Sequence, residues 1–112
     1  MSLAQPSPLE AAVLAEFYEL YKDRGFPAPS RVHVRRRENT GSGRYVDLDA
    51  LDNTEFDDGY LDMAGRFIEM NGVPNGLMAV ARVKDHRVQQ IELSVYGDDA
   101  WDGEEGEWAI TR

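Results

Sequence analysis

The stretch from Met63 to Tyr96 constrains this chain most. It reads as three strands joined by two turns, the middle strand being Leu77-Met78-Ala79-Val80-Ala81-Arg82-Val83. That segment is apolar on both alternating faces, the pattern of a central strand covered on both sides. The approach to it is Asn71-Gly72-Val73-Pro74-Asn75-Gly76, where Pro74, Asn75 and Gly76 suit the later positions of a type I turn. The exit is Lys84-Asp85-His86-Arg87, with Asp85-His86 at the tip. Pairing Val83 with Val88 sets Val80 opposite Ile91 and Met78 opposite Leu93, so one face stays apolar across the hairpin. Pairing Met70 with Leu77 adds Phe67 opposite Val80, with Leu61, Met63 and Phe67 inward.

Upstream, Ser7-Pro8-Leu9-Glu10 forms a capping box after a loose lead-in over 1–6. The helix it opens, 8–24, carries Leu9, Val13, Phe17 and Leu20 on one stripe. Gly25 closes it, Phe26 supplies the apolar contact of a Schellman motif with Tyr21, and Pro27 blocks continuation. Two further strands follow, Arg31 to Glu38 and Arg44 to Asp49. Setting Glu38 opposite Arg44 brings Leu48 to Val34 on one face, and Asp47 to Arg35 and Asp49 to His33 on the other. Residues 50–59 read as a loop, and Trp108-Ala109-Ile110 as a last edge strand. The expected fold is a single α+β domain over 1–112, an N-terminal helix packed on an antiparallel meander sheet of about five strands. This layout resembles cystatin-like and other single-helix meander folds.

Composition narrows the function classes. Without Cys there is no disulfide framework, no thiolate metal site and no thiol nucleophile, which suits a cytoplasmic setting. No window approaches the roughly 20 apolar residues of a membrane span. The net charge of −9 is uneven: residues 1–46 carry a net +2 and residues 47–112 a net −11. Such a field repels nucleic acid and anionic membranes and attracts basic partners. Arg35-Arg36-Arg37, with Arg31, His33 and Arg44, divides between two strand faces and meets Asp47 and Asp49, so structural pairing accounts for it.

No nucleophile elbow, phosphate-binding glycine loop or zinc-binding His-Glu-x-x-His occurs. His33 beside Asp49 is the one acid–base grouping on a shared face, and His86 stands apart at a turn. Asp98, Asp102 and Gly103 match part of a calcium loop, but Ala100 and Ala109 occupy ligand positions; no metal or cofactor is expected.

Two sites compete. The first is the acidic tail, where Asp98, Asp99, Trp101, Asp102, Glu104 and Glu105 suggest an aromatic anchor ringed by carboxylates for a basic protein. The alternative for that tail is structural, with Trp101 and Trp108 folded back as lids on the sheet edge. The second site is a ligand-binding or enzymatic pocket between helix and sheet, lined by Tyr18, Tyr21, Phe26 and Tyr60. The expectation favours a non-enzymatic interaction module. In size, acidity and lack of cysteine the chain resembles immunity proteins that neutralise basic toxins, a likeness of composition that carries no residue across.

Overall fold

The computed structural model describes residues 3–112, so the first two residues of the expected lead-in lie outside the described residues. The rest of that lead-in is tied down: Ala4 exchanges backbone hydrogen bonds with Val34 at 2.9 and 2.8 Å. Helix α1 spans Pro8–Tyr21. Its capping box is complete, with the Glu10 amide donating to Ser7 Oγ and the Ser7 amide to Glu10 Oε1. The chain then tightens into a 3₁₀ turn, Lys22–Arg24, and ends at Gly25 with φ +89°. Only glycine holds that left-handed conformation cheaply, and a Cβ there would crowd the Asn53 and Thr54 backbone at 3.2 Å. The Phe26 amide returns to the Tyr21 carbonyl, and the Phe26 ring stacks on Phe17 with centroids 5.7 Å apart. The buried stripe is Leu9, Val13, Leu14 and Phe17; Leu20 is only half-buried.

Seven strands form one antiparallel sheet: β1 Val32–Asn39, β2 Gly43–Ala50, β3 Gly59–Asp62, β4 Phe67–Met70, β5 Val73–Lys84, β6 Arg87–Val95 and β7 Trp108–Thr111. The order is β1-β2-β6-β5-β4-β7, with β3 also on β5. The count exceeds five partly because the stretch that carries Leu61, Met63 and Phe67, expected as one strand, is broken in two. Ala64 and Gly65 take φ of +54° and +82° between the halves. The twelve residues of β5 accommodate both pieces along one edge and β6 along the other. β6 then closes against β2, which joins the first hairpin to the rest and departs from a plain meander.

Three irregularities correct the expected registers. Val83 does face Val88, but a bulge between Arg82 and Val83 sets Ala81 opposite Ile91, Ala79 opposite Leu93 and Val80 opposite Glu92. Leu77, Ala79, Ala81 and Val83 therefore form the buried face, while Met78 and Val80 point outward. In β4–β5, Met70 faces Val73 across an Asn71-Gly72 tip, and Pro74–Gly76 lies inside β5 as extra residues before Leu77 meets Ile68. Gly76 holds φ +73°, and a Cβ there would sit 2.5 Å from the Ile68 carbonyl oxygen. As a result Ile68 is buried and Phe67, expected inward, lies on the outer face. In β1–β2, Val34–Leu48 and His33–Asp49 pair as expected. A shift between Val34 and Arg36 then sets Arg36 opposite Asp47 and Asn39 opposite Arg44. That bulge turns Arg37 to the helix side. A one-residue slip exchanges the faces of a strand. Where both faces are apolar, as in β5, alternation cannot choose between them.

The core lies between α1 and one face of the sheet, and no helix among the described residues is long and apolar enough to cross a membrane.

Candidate functional site

The segment 97–107 joins β6 to β7 and holds most of the carboxylates singled out in the sequence. It carries little regular structure, yet it is held at many points. The Trp101 amide donates to the Gly41 carbonyl at 2.9 Å, and the Asn71 amide to the Glu107 carbonyl at 2.8 Å. The Asn75 amide donates to Asp99 Oδ2 at 2.9 Å, and the Glu104 amide to Asp102 Oδ1 at 2.9 Å.

Its principal fastening is Arg44, whose side chain lies on the helix side of β2. Arg44 Nη1 donates to Glu10 Oε2 at 3.0 Å and to Glu105 Oε2 at 2.7 Å, Nη2 donates to the Gly103 carbonyl, and Nε donates to Asn39 Oδ1 at 2.9 Å. Its guanidinium also lies over the Trp101 ring, 4.9 Å from the centroid. Arg37 closes the cluster with two 2.7 Å bonds to the Glu10 carboxylate. Glu105 Oε1 accepts from the Leu9 amide at 3.1 Å, where a helix N-terminus favours negative charge. Two arginines thus face two glutamates, with Glu10 fully buried and Arg44 5% exposed. Burial pushes the Glu10 carboxyl up. The hydrogen bonds from Arg37 and the Ser7 amide, with the charges of Arg37 and Arg44, outweigh that and hold it below its ordinary value.

This architecture separates the six tail residues into two groups. Trp101 is 3% exposed and gives its indole N–H to the Glu104 carbonyl at 2.9 Å, so it braces the loop from below and presents no exposed anchor. Glu105 and Asp99 are committed to Arg44 and Asn75. Asp98, Asp102 and Glu104 remain exposed, joined by Glu107, and none of these four makes an ion pair among the described residues. Asp102 and Glu104 edge a groove of about 360 Å³ against the β4–β5 turn, floored by Val73, Ala100 and Trp101. Trp108, on β7 opposite Met70, is half-buried at the sheet edge.

The four pocket residues do not converge. Tyr18, Tyr21 and Phe26 pack into the core on the helix side. Tyr21 meets Phe56 edge-on at 5.6 Å, and its hydroxyl donates to the Asp62 carbonyl at 2.7 Å. Burial and the Asp62 charge raise that phenol above its ordinary value, keeping it a neutral donor. Tyr60 is 63% exposed and pairs with Arg82 on the opposite face of the sheet.

The basic run is consumed by pairing: Arg31 with Asp52, Arg35 with Asp49, Arg36 with Glu38, and Arg37 with Glu10. His33 faces Asp49, but Arg35 holds that carboxylate at 2.9 Å. The Arg44 cluster itself escaped the sequence reading, although one signal for it was present: Val46 and Leu48 face the core, and alternation places Arg44 on the same side. Comparison with known proteins finds no family model, no curated protein and no solved structure that matches this chain.

Proposed function

We propose that this protein is a non-enzymatic interaction module of the cytoplasm that binds a basic protein through its acidic C-terminal loop. The observation that carries the reading is a contrast within that loop. Asp98, Asp102, Glu104 and Glu107 stand exposed without a cationic partner among the described residues, while the Glu10–Arg37–Arg44–Glu105 cluster, centred on buried Glu10 and Arg44, and Trp101 fix the backbone beneath them. A segment that served solubility alone would need no such bracing. Fixed carboxylates spare a complex the ordering cost that a flexible tail would incur. Their field raises the encounter rate with a positively charged surface.

The test begins with affinity capture from the source cell and continues with kinetics on the captured protein. Association should slow steeply as salt rises, with dissociation changing less. Replacing Asp98, Asp102, Glu104 and Glu107 by Asn or Gln should slow association and leave stability within about ±0.5 kcal/mol. A captured partner whose association ignores both salt and these four replacements ends the proposal.

A further inference from the structure

The outer face of the sheet poses a question that its inner face has already answered. β5 is apolar on both alternations, and α1 covers only the side of Leu77, Ala79 and Ala81. On the open side Met78 is 36% and Tyr96 40% exposed. Phe67, one residue before buried Ile68, turns to this side, and its ring lies 3.3 Å from where a Cβ of Gly76 would stand, two residues before Met78. Phe67 and Tyr96 line a shallow groove of about 460 Å³ with Asn75 and Gly97. This groove thus lies on the outer face next to the start of the acidic loop at Asp98, and Met78 lies on the same face opposite Ser94, two residues before Tyr96.

The charges nearest this strip are acidic, and the one cation of β5 on this face short of the hairpin tip, Arg82, lies a row farther on, between Tyr60 and Gln90. The neighbouring cross-strand row reads Tyr45, Glu92, Val80, Asp62. Glu69 lies one residue along β4 from Ile68 on the outer side, and Asp98 follows Gly97. None of Glu92, Asp62, Glu69 or Asp98 forms an ion pair among the described residues. A second copy of this chain would bring its own −9 and the same carboxylates against them.

We infer that the Met78–Phe67–Tyr96 strip is the anchor site for the basic partner, and that the partner presents an apolar side chain flanked by Lys or Arg. This rests on the interaction reading above and deepens it: the acidic loop steers, and the sheet face holds. It also supplies the exposed apolar anchor that buried Trp101 does not. An apolar anchor in a groove rimmed by charge is the arrangement in which a few central residues dominate affinity.

The test uses the intact protein, isotope-labelled, with three short synthetic probes: a peptide of Lys-Leu-Leu-Lys repeats, an oligolysine of equal charge, and a peptide of Glu-Leu-Leu-Glu repeats. The first should bind most tightly and shift the amide resonances of Phe67, Met78 and Tyr96. Met78→Gln and Tyr96→Ser should each weaken it about tenfold or more, the scale of an anchor residue. Both positions are partly exposed, so unchanged melting curves for these variants show that the fold is intact. Equal binding of oligolysine, with shifts confined to residues 97–107, would overturn the anchor site and leave the acidic-loop proposal standing. Equal binding of the Glu-Leu-Leu-Glu peptide would overturn the cationic partner and the acidic-loop proposal together. Shifts at these residues on concentrating the protein alone would overturn the inference in favour of self-association.

Discussion

The two faces of the sheet are made by the same strands, yet only one is a core. On the inner face Leu77, Ala79, Ala81, Ile91 and Leu93 lie under α1 at almost zero exposure, and the small alanines leave space for the helix. On the outer face Met78, Val80, Tyr45 and Tyr60 stand among Glu92, Asp62 and Arg82. Over residues 77–81 both faces of β5 are apolar, and only Arg82 and Lys84 mark the outer one by polarity. An apolar residue can therefore serve the fold on one alternation and remain free for contact on the next. The best-buried charges lie on the same side as the core, Arg44 on the inner face of β2 and Glu10 on α1 against it.

The largest expected effect falls on the inner face. Phe17 stacks between Tyr21 and Phe26, at 6.3 and 5.7 Å, and is fully buried. Phe17→Ala should cost about 3–5 kcal/mol, as for other buried aromatic truncations. Denaturant melts of the variant measure this directly, and a midpoint equal to the parent's would refute the packing of α1 on this face.

Next comes the buried ion cluster. Removing one partner of a buried pair strands the other and costs about 3–5 kcal/mol. Arg44→Met should fall near the lower bound of about 3 kcal/mol, because Arg37 still holds Glu10 with two hydrogen bonds. Trp101 loses its guanidinium cover in that variant, so its fluorescence should change in the folded state as well. A loss of stability without any change at Trp101 would disconnect Arg44 from the loop.

Acid should probe the same cluster. Glu10 has its carboxyl held below its ordinary value, so the unfolded chain binds a proton there more readily than the folded one. That contribution is complete above about pH 4.5 and fades as the pH falls from there through the folded-state value. Stability of the parent should therefore drop on acidification through this window, and Glu10→Gln should drop less steeply from a lower starting point. Parallel curves for the two proteins would remove Glu10 from the acid response.

The contrast also explains what the sequence could and could not reveal. The start of helix α1 and the end of the helical segment were legible because their signals are local: Ser7-Pro8-Leu9-Glu10 opens it, and Gly25-Phe26-Pro27 closes the 3₁₀ turn into which its last residues tighten. The β5–β6 tip was legible for the same reason, with Asp85 and His86 both at positive φ. Registers beyond each turn were not. One inserted residue in β1 and another in the β5–β6 ladder leave no compositional mark yet exchange the faces of everything after them. The candidate site was half legible. Its acids are contiguous in sequence, but the arginine that braces them is Arg44, 61 residues from Glu105. No local pattern reports that distance, so the sequence left Trp101 open between an anchor and a lid, and its burial makes it a brace.

The smallest expected effects are the ones that test the comparison most sharply, because they fall on adjacent residues of one strand. Met78→Gln, on the outer face, should change stability by no more than about 0.5 kcal/mol, as surface replacements usually do. Ala79→Met, one residue on and 2% exposed, should cost about 1–3 kcal/mol by overpacking the space beneath the helix. The simple register without a bulge makes the reverse forecast. There Met78 would face Leu93 in the core, and its replacement by a polar side chain would be the damaging change. Two melting curves therefore decide which alternation of β5 is inside. If Ala79→Met is harmless and Met78→Gln unfolds the protein, the faces are exchanged, and the Met78–Phe67–Tyr96 strip is core and can hold no partner.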